Sequence, residues 1–135
     1  MSDYLGQDLA VDLHGMSVLG LAHIGDAVFE LLVRTWLCTH GASTAKSLHR
    51  GATEFVTAKA QAAAAERMLP KLSGEELAVF KRGRNAHVSP APRKATSGEY
   101  HTATGVEALF GFLYLSRRME RLDELFGLIV DSGKD

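Results

Sequence analysis

The sequence predicts an all-α domain of about six helices, on three observations. Apolar residues recur at helical spacing over most of the chain. Serine and threonine cap signals stand just ahead of several of these runs. No stretch alternates apolar and polar residues as a half-buried strand would, and no repeat period is present.

Taken in order, Ser17 can cap a first helix running to about Cys38, with apolar positions at Val18, Leu21, Ala22, Val28, Leu32 and Trp36. His40-Gly41 ends it. Ser43 opens a second segment, "STAKSLHRGATEF". Thr57 caps a third, "AKAQAAAAERML", whose alanines favour helix and allow close packing on a neighbour. Pro70 stops it. "SGEE", Ser73 to Glu76, is a capping box ahead of "LAVFKRG". "RNAHVSPAPRKATSG" is rich in Pro, Ser and Gly and reads as a loop. It is longer than a helix connection needs, and such loops often carry function. A long apolar helix follows, roughly Glu99 to Arg117, and the amphipathic "MERLDELFGLIV" closes the fold.

With 135 residues, 46% of them hydrophobic, one domain spanning 1–135 with its core at about 17–130 is expected. No segment is apolar for long enough to cross a bilayer, so no membrane partner is expected. The acidic start "MSDYLGQDLAVDL" does not read as a signal peptide. The single Cys38 rules out an internal disulfide framework and a multi-cysteine zinc site, and a reducing cytoplasm is the expected location.

The net charge of −1 hides a polarised chain. Up to Val33 there is no Lys or Arg, but Asp3, Asp8, Asp12, Asp26 and Glu30 are present. Between Glu76 and Glu99 there is no acid, while Lys81, Arg82, Arg84, Arg93 and Lys94 accumulate. Such a chain can hold cations at one place and phosphates at another, or simply present two solvated surfaces.

"LGLAHIGDAVFELLV" places Asp26 inside an apolar helix, three residues after His23 and four before Glu30, so that all three share one side. "ATGVEALFGFLYL" does the same with Glu107, one turn after Thr104. An ionised carboxylate buried alone costs several kcal/mol, so each needs a cation, donors or water. If the two apolar helices pack together, Asp26 and Glu107 can face each other across a hard divalent cation such as Mg²⁺. The alternative, at even odds from pattern alone, pairs Asp26 with an arginine such as Arg34 or Arg84. The six histidines show neither HExxH spacing nor the Glu-x-x-His of di-iron bundles. Phosphate-loop and Ser or Cys nucleophile signatures are missing too, which leaves metal-assisted hydrolysis by carboxylates as the available chemistry.

"FKRGRNAHVSPAPRK" interleaves cations with Gly, Asn and Ser and holds no aromatic beyond Phe80. It is a poor stacking platform for single strands and suits a duplex read through phosphates and 2′-hydroxyls. Lys46, His49, Arg50, Lys59 and Gln61 are candidates to extend that surface, with ordinary solvated helix faces as the equal alternative.

These motifs carry a family resemblance. "LAHIGDAVFELLV" resembles the first signature of ribonuclease III catalytic domains, and "ATGVEALFGFLYL" resembles the second. "LHRGATEFVTAKAQA" and "FKRGRNA" resemble intervening motifs of the family's short branch, Mini-ribonuclease III. The likeness runs from about Ser17 to Leu128. It implies an all-α endonuclease domain that works as a homodimer, cuts both strands of duplex RNA rather than DNA, and uses Mg²⁺, with Mn²⁺ as a substitute. The implied substrate is the precursor of large-subunit (23S) ribosomal RNA, with a large-subunit ribosomal protein as a further candidate partner. The catalytic, metal-binding positions fall on Asp26 and Glu107, supported by Thr104, Glu30 and His23. RNA contacts fall to Lys81, Arg82, Arg84, Asn85, Lys59, Arg93 and Lys94. The double-stranded-RNA-binding domain of larger members is not expected.

The sequence departs from the family pattern at two acidic positions, where Ala22 and Thr104 stand; Thr104 could still hold a water of the ion. His23 and Phe29 replace tyrosines common in the short branch. A catalytically silent RNA-binding or ribosome-associated domain of the same fold therefore stays open, and more weakly a helical nucleotide hydrolase.

Overall fold

The architecture follows from one helix, Ser97–Leu115, whose residues from Ala103 to Leu113 are all buried except Glu107, which is half-buried. A helix apolar on every side must be surrounded. The computed structural model describes residues 12–86 and 96–130. Six helices run in order: α1 Val18–Thr39, α2 Ala45–Val56, α3 Ala58–Met68, α4 Gly74–Arg84, α5 Ser97–Leu115 and α6 Met119–Val130. A short 3-10 turn, Leu69–Lys71, carries Pro70 and closes α3. No strand is present among the described residues, and no helix there is long and apolar enough to cross a membrane. Helices α1, α3 and α4 pack directly against α5.

Caps set the helix starts. Ser17 accepts from the Gly20 amide at 2.9 Å, and the Ser73/Glu76 capping box forms as its pattern predicts. Helix α2 starts one residue later than expected. Its cap is Thr44, which exchanges hydrogen bonds with Ser47, so Ser43 lies outside the helix. Helix α5 starts two residues early, because Thr96 and Glu99 form a capping box that reading the segment as loop had hidden. At the end of α1, Gly41 takes φ +100° and the Ala42 amide returns to the Leu37 carbonyl, a left-handed close that suits glycine.

Glycine decides how closely the helices approach. A Cβ on Gly25 of α1 would overlap the backbone carbonyl of Glu107, and one on Gly111 of α5 would overlap the carbonyl of Leu21. On another side of α5, a Cβ on Gly83 of α4 would stand 2.8 Å from Ala108 Cβ and 2.9 Å from the Thr104 carbonyl. A Cβ on Gly105 would stand 2.8 Å from the Phe80 carbonyl. Two seams with little side chain between them thus fix α1 and α4 on α5.

Phe29 of α1 fills the space beside the first seam, stacked on Phe110 at 5.4 Å and edge-on to Phe126 at 6.1 Å. The stripe of α1 that is buried is Leu21, Ala22, Gly25, Val28, Phe29, Val33 and Leu37. Trp36 and Leu32, expected on that stripe, are half-buried at its flank, where Trp36 meets Phe55 of α2 at 5.7 Å. Helix α6 is tied to α4 by Arg121, whose guanidinium grips both oxygens of the buried Glu76 at 2.8 and 2.9 Å and also the Lys71 carbonyl at 2.7 Å. That guanidinium holds the Glu76 carboxyl below its ordinary pKa.

Gly25→Ala and Gly111→Ala should each destabilise the fold by about 3 kcal/mol or more, because backbone cannot yield as a flexible side chain can. Gly74→Ala, with open space around it, should be neutral or stabilising by about 0.5 kcal/mol. Urea denaturation measures all three, and near-native stability of Gly25→Ala would contradict the close seam.

Candidate active site

Asp26 follows Gly25 directly, so the glycine that brings α1 onto α5 also delivers its neighbour to the helix bearing Glu107. The two carboxyl groups stand side by side, within hydrogen-bonding reach of each other. Asp26 is exposed and Glu107 is half-buried. Their environments therefore differ, although both side chains are carboxylic acids. Burial, with the Asp26 charge second and their shared hydrogen bond third, pushes the Glu107 pKa up from 4.5 to about 8. With no cation beside it, the Glu107 carboxyl therefore favours its protonated form.

The arginine alternative does not arise. Arg34 pairs with Glu30 instead, Nη2 to Oε2 at 2.7 Å, one turn along α1. Arg84 lies over the Phe80 ring at 5.6 Å. Among the described residues no ion pair reaches Asp26. The acid pair thus lacks a protein cation, and one face of it is open.

Two adjacent carboxylates, one sheltered and one accessible, form a donor set that Mg²⁺ accepts. That ion is bound by one or two carboxylates and completes its shell with water and substrate phosphate oxygens. Among the described residues, no group of three or more His, Cys, Asp or Glu side chains is placed to hold a metal. A site here is limited to two protein carboxylates.

The other expected site residues fall in different places. Thr104 is buried, and its hydroxyl donates to the Tyr100 carbonyl at 3.0 Å. Its oxygen lone pairs are left, but its proton is committed. Glu30 is held by Arg34. His23 is exposed and lines an apolar depression with Ile24, Ala27, Val28, Leu31 and Tyr114. Lys81 and Arg82 are exposed near the end of α4, where Asn85 forms the C-cap. Arg82 also donates to the Met16 carbonyl at 3.3 Å. Lys59 is exposed on α3. Arg93 and Lys94 lie outside the described residues.

Gln61, which the sequence places on the outer surface, is instead 1% exposed. It belongs to the inner stripe of α3 with Ala64, Ala65 and Met68, and its amide lies beside Glu107. The i, i+3, i+4, i+7 spacing of those residues was the available signal. The polarity of glutamine concealed it.

Comparison with known proteins matches residues 19–118 to the Ribonuclease III domain. A Mini-ribonuclease 3 from Clostridium tetani is 38% identical over 95% of this chain and 86% of its own length. One from Symbiobacterium thermophilum is 43% identical over 84% of this chain and 87% of its own. One from Enterococcus faecalis is 41% identical over 88% of this chain and 92% of its own. A crystal structure of a Fusobacterium nucleatum protein superposes with a TM-score of 0.82 at 29% identity, covering 90% of this chain and 98% of that one.

The raised Glu107 pKa makes a prediction for metal-free protein. Below pH 4.5 Glu107 is protonated folded or unfolded and costs nothing. Between pH 4.5 and about 8 the unfolded chain loses the proton while the folded one keeps it, so stability falls as pH rises. Glu107→Gln stays neutral throughout. In chelator its stability should match wild type near pH 4.5 and exceed it above pH 8 by on the order of 3 kcal/mol. Parallel denaturation curves across that range would contradict the buried acid pair.

Proposed function

The chain belongs to the ribonuclease III family, and from that membership we propose that it hydrolyses phosphodiester bonds of double-stranded RNA as a Mg²⁺-dependent endonuclease, with Mn²⁺ as a substitute. The observation that carries this reading is the juxtaposition of Asp26 and Glu107 without a protein cation between them. These two residues would hold the ion. When bound, Mg²⁺ polarises the scissile phosphate and lowers the pKa of the attacking water. To hold the ion, Glu107 would be ionised, and its partly buried position would strengthen its attraction for the cation.

Positioning of the substrate would fall to cations of α3, α4 and the loop that follows α4. The Gly83 seam places the end of α4 against Thr104, Gly105 and Ala108, on the helix that bears Glu107. Lys81, Arg82, Arg84 and Asn85 belong to that end of α4, and Lys59 is exposed on α3. Together with Arg93 and Lys94 of the following loop, they would hold phosphates and 2′-hydroxyls of a duplex.

Cutting both strands needs two sites, which a two-fold homodimer supplies. An apolar strip supports that assembly. Leu31 is 63% exposed and Leu19 46% exposed on α1, beside the depression formed by Ile24, Ala27, Val28 and Tyr114. Water is a poor partner for such a strip, and a second copy would cover it. The proposed substrate is the precursor of large-subunit ribosomal RNA in the cytoplasm, with a large-subunit ribosomal protein as a further partner, in one domain spanning the chain.

Asp26→Asn should fold as wild type and lose at least about 100-fold in cleavage of a labelled RNA duplex with Mg²⁺. Chelator should abolish wild-type cleavage, and Mn²⁺ should restore it. Turnover in chelator would sink the metal assignment. Binding of the duplex with no cleavage in either metal would select the catalytically silent reading, which the Ala22 and Thr104 replacements favour.

A further inference from the structure

Among the described residues, three polar or charged side chains are buried: Gln61, Glu76 and Thr104. Glu76 is satisfied by Arg121 and Ser73, and Thr104 by the Tyr100 carbonyl. Gln61 is different. Its Nε2 is fully shielded and has no hydrogen-bond partner. A buried donor left unmet is destabilising, and a methionine would fill a similar volume without that penalty. Its neighbours on the stripe, Ala64, Ala65 and Met68, offer no polar group. The polar group the amide does approach is the Glu107 carboxyl, whose ionised form it favours.

We propose that Gln61 is a positioning residue for the metal centre: its Nε2–H donates to one Glu107 carboxylate oxygen and turns the other toward the cation. The inference rests on the reading of Asp26 and Glu107 as the cation's ligands. The opposite amide orientation would set Oε1 against the carboxylate, so Glu107 itself selects the donor. A ligating carboxylate held by an outer hydrogen bond keeps one orientation through the cycle, and losing such a partner typically costs about 10- to 100-fold in metal affinity or activity.

The test measures Mg²⁺ and Mn²⁺ binding calorimetrically on chelator-stripped protein without RNA. Gln61→Met should melt no lower than wild type when metal-free, yet bind Mg²⁺ about 10- to 100-fold more weakly. With a duplex RNA, its KM should stay unchanged while kcat falls at fixed Mg²⁺ and recovers at higher Mg²⁺. A packing role alone would not produce that split. Equal Mg²⁺ affinity in Gln61→Met and wild type overturns the proposal. Absence of Mg²⁺ binding by wild type instead overturns the underlying metal reading, a distinguishable result. If Gln61→Met does not fold, Gln61→Asn takes its place with the same expected loss, and wild-type affinity in it is equally fatal. If neither folds, Gln61 is a packing residue and the proposal fails.

Discussion

The contact between Gly25 and the Glu107 backbone is the constraint on which the rest depends. At that point α1 and α5 touch without side chains between them. The neighbours of the contact, Asp26 on one helix and the Glu107 side chain on the other, must then share one small volume. An ordinary helix crossing leaves 8–10 Å between axes, with side chains filling the gap. The glycine seam removes that filling, so two acids distant in sequence are forced together. Gly111 against Leu21 repeats the contact about a turn along α5 and fixes the register as well as the distance. The repulsion between the carboxylates is thus a consequence of packing, and packing must be strong enough to sustain it. The buried Phe29, Phe110 and Phe126 cluster beside the seam supplies part of that strength.

Electrostatics divides the molecule along the same lines. The acids of α1 and α5 meet where helices touch most closely, and the cations collect where α4 ends. Arg34 neutralises Glu30, and Arg121 neutralises Glu76 and ties α6 to α4. Among the described residues, these pairings leave Asp26 and Glu107 without a basic partner where α1 meets α5. A divalent ion resolves the conflict in a way an arginine would not, because it keeps open positions for water and phosphate. Gln61 fits the same scheme: a neutral donor steadies a carboxylate without cancelling the charge the ion needs.

Much of the fold was legible in the sequence because the helices announce their own starts. Ser17, Thr57 and the Ser73/Glu76 box marked three caps where they form, and the apolar stretch around Glu107 identified the central helix. Thr44 was missed for Ser43 because two hydroxyl residues stand side by side, and only the reciprocal bond to Ser47 distinguishes them. The acid pair was legible from the cost of leaving carboxylates in apolar helices. Its glycine cause was not, since Gly25 and Gly111 read as weak helix formers until the neighbouring backbone is known. Gln61 was misplaced because a polar residue on an alanine-rich helix defaults to the surface. Its nearness to Glu107 is visible only once α3 is packed on α5.

Asp26 and Glu107 are proposed to share one divalent cation. Anomalous scattering from crystals grown with Mn²⁺ tests this most directly. A single peak bounded by the Asp26 and Glu107 carboxylate oxygens is the predicted result. Mn²⁺ bound elsewhere, with the two carboxyl groups still hydrogen-bonded to each other, would contradict it.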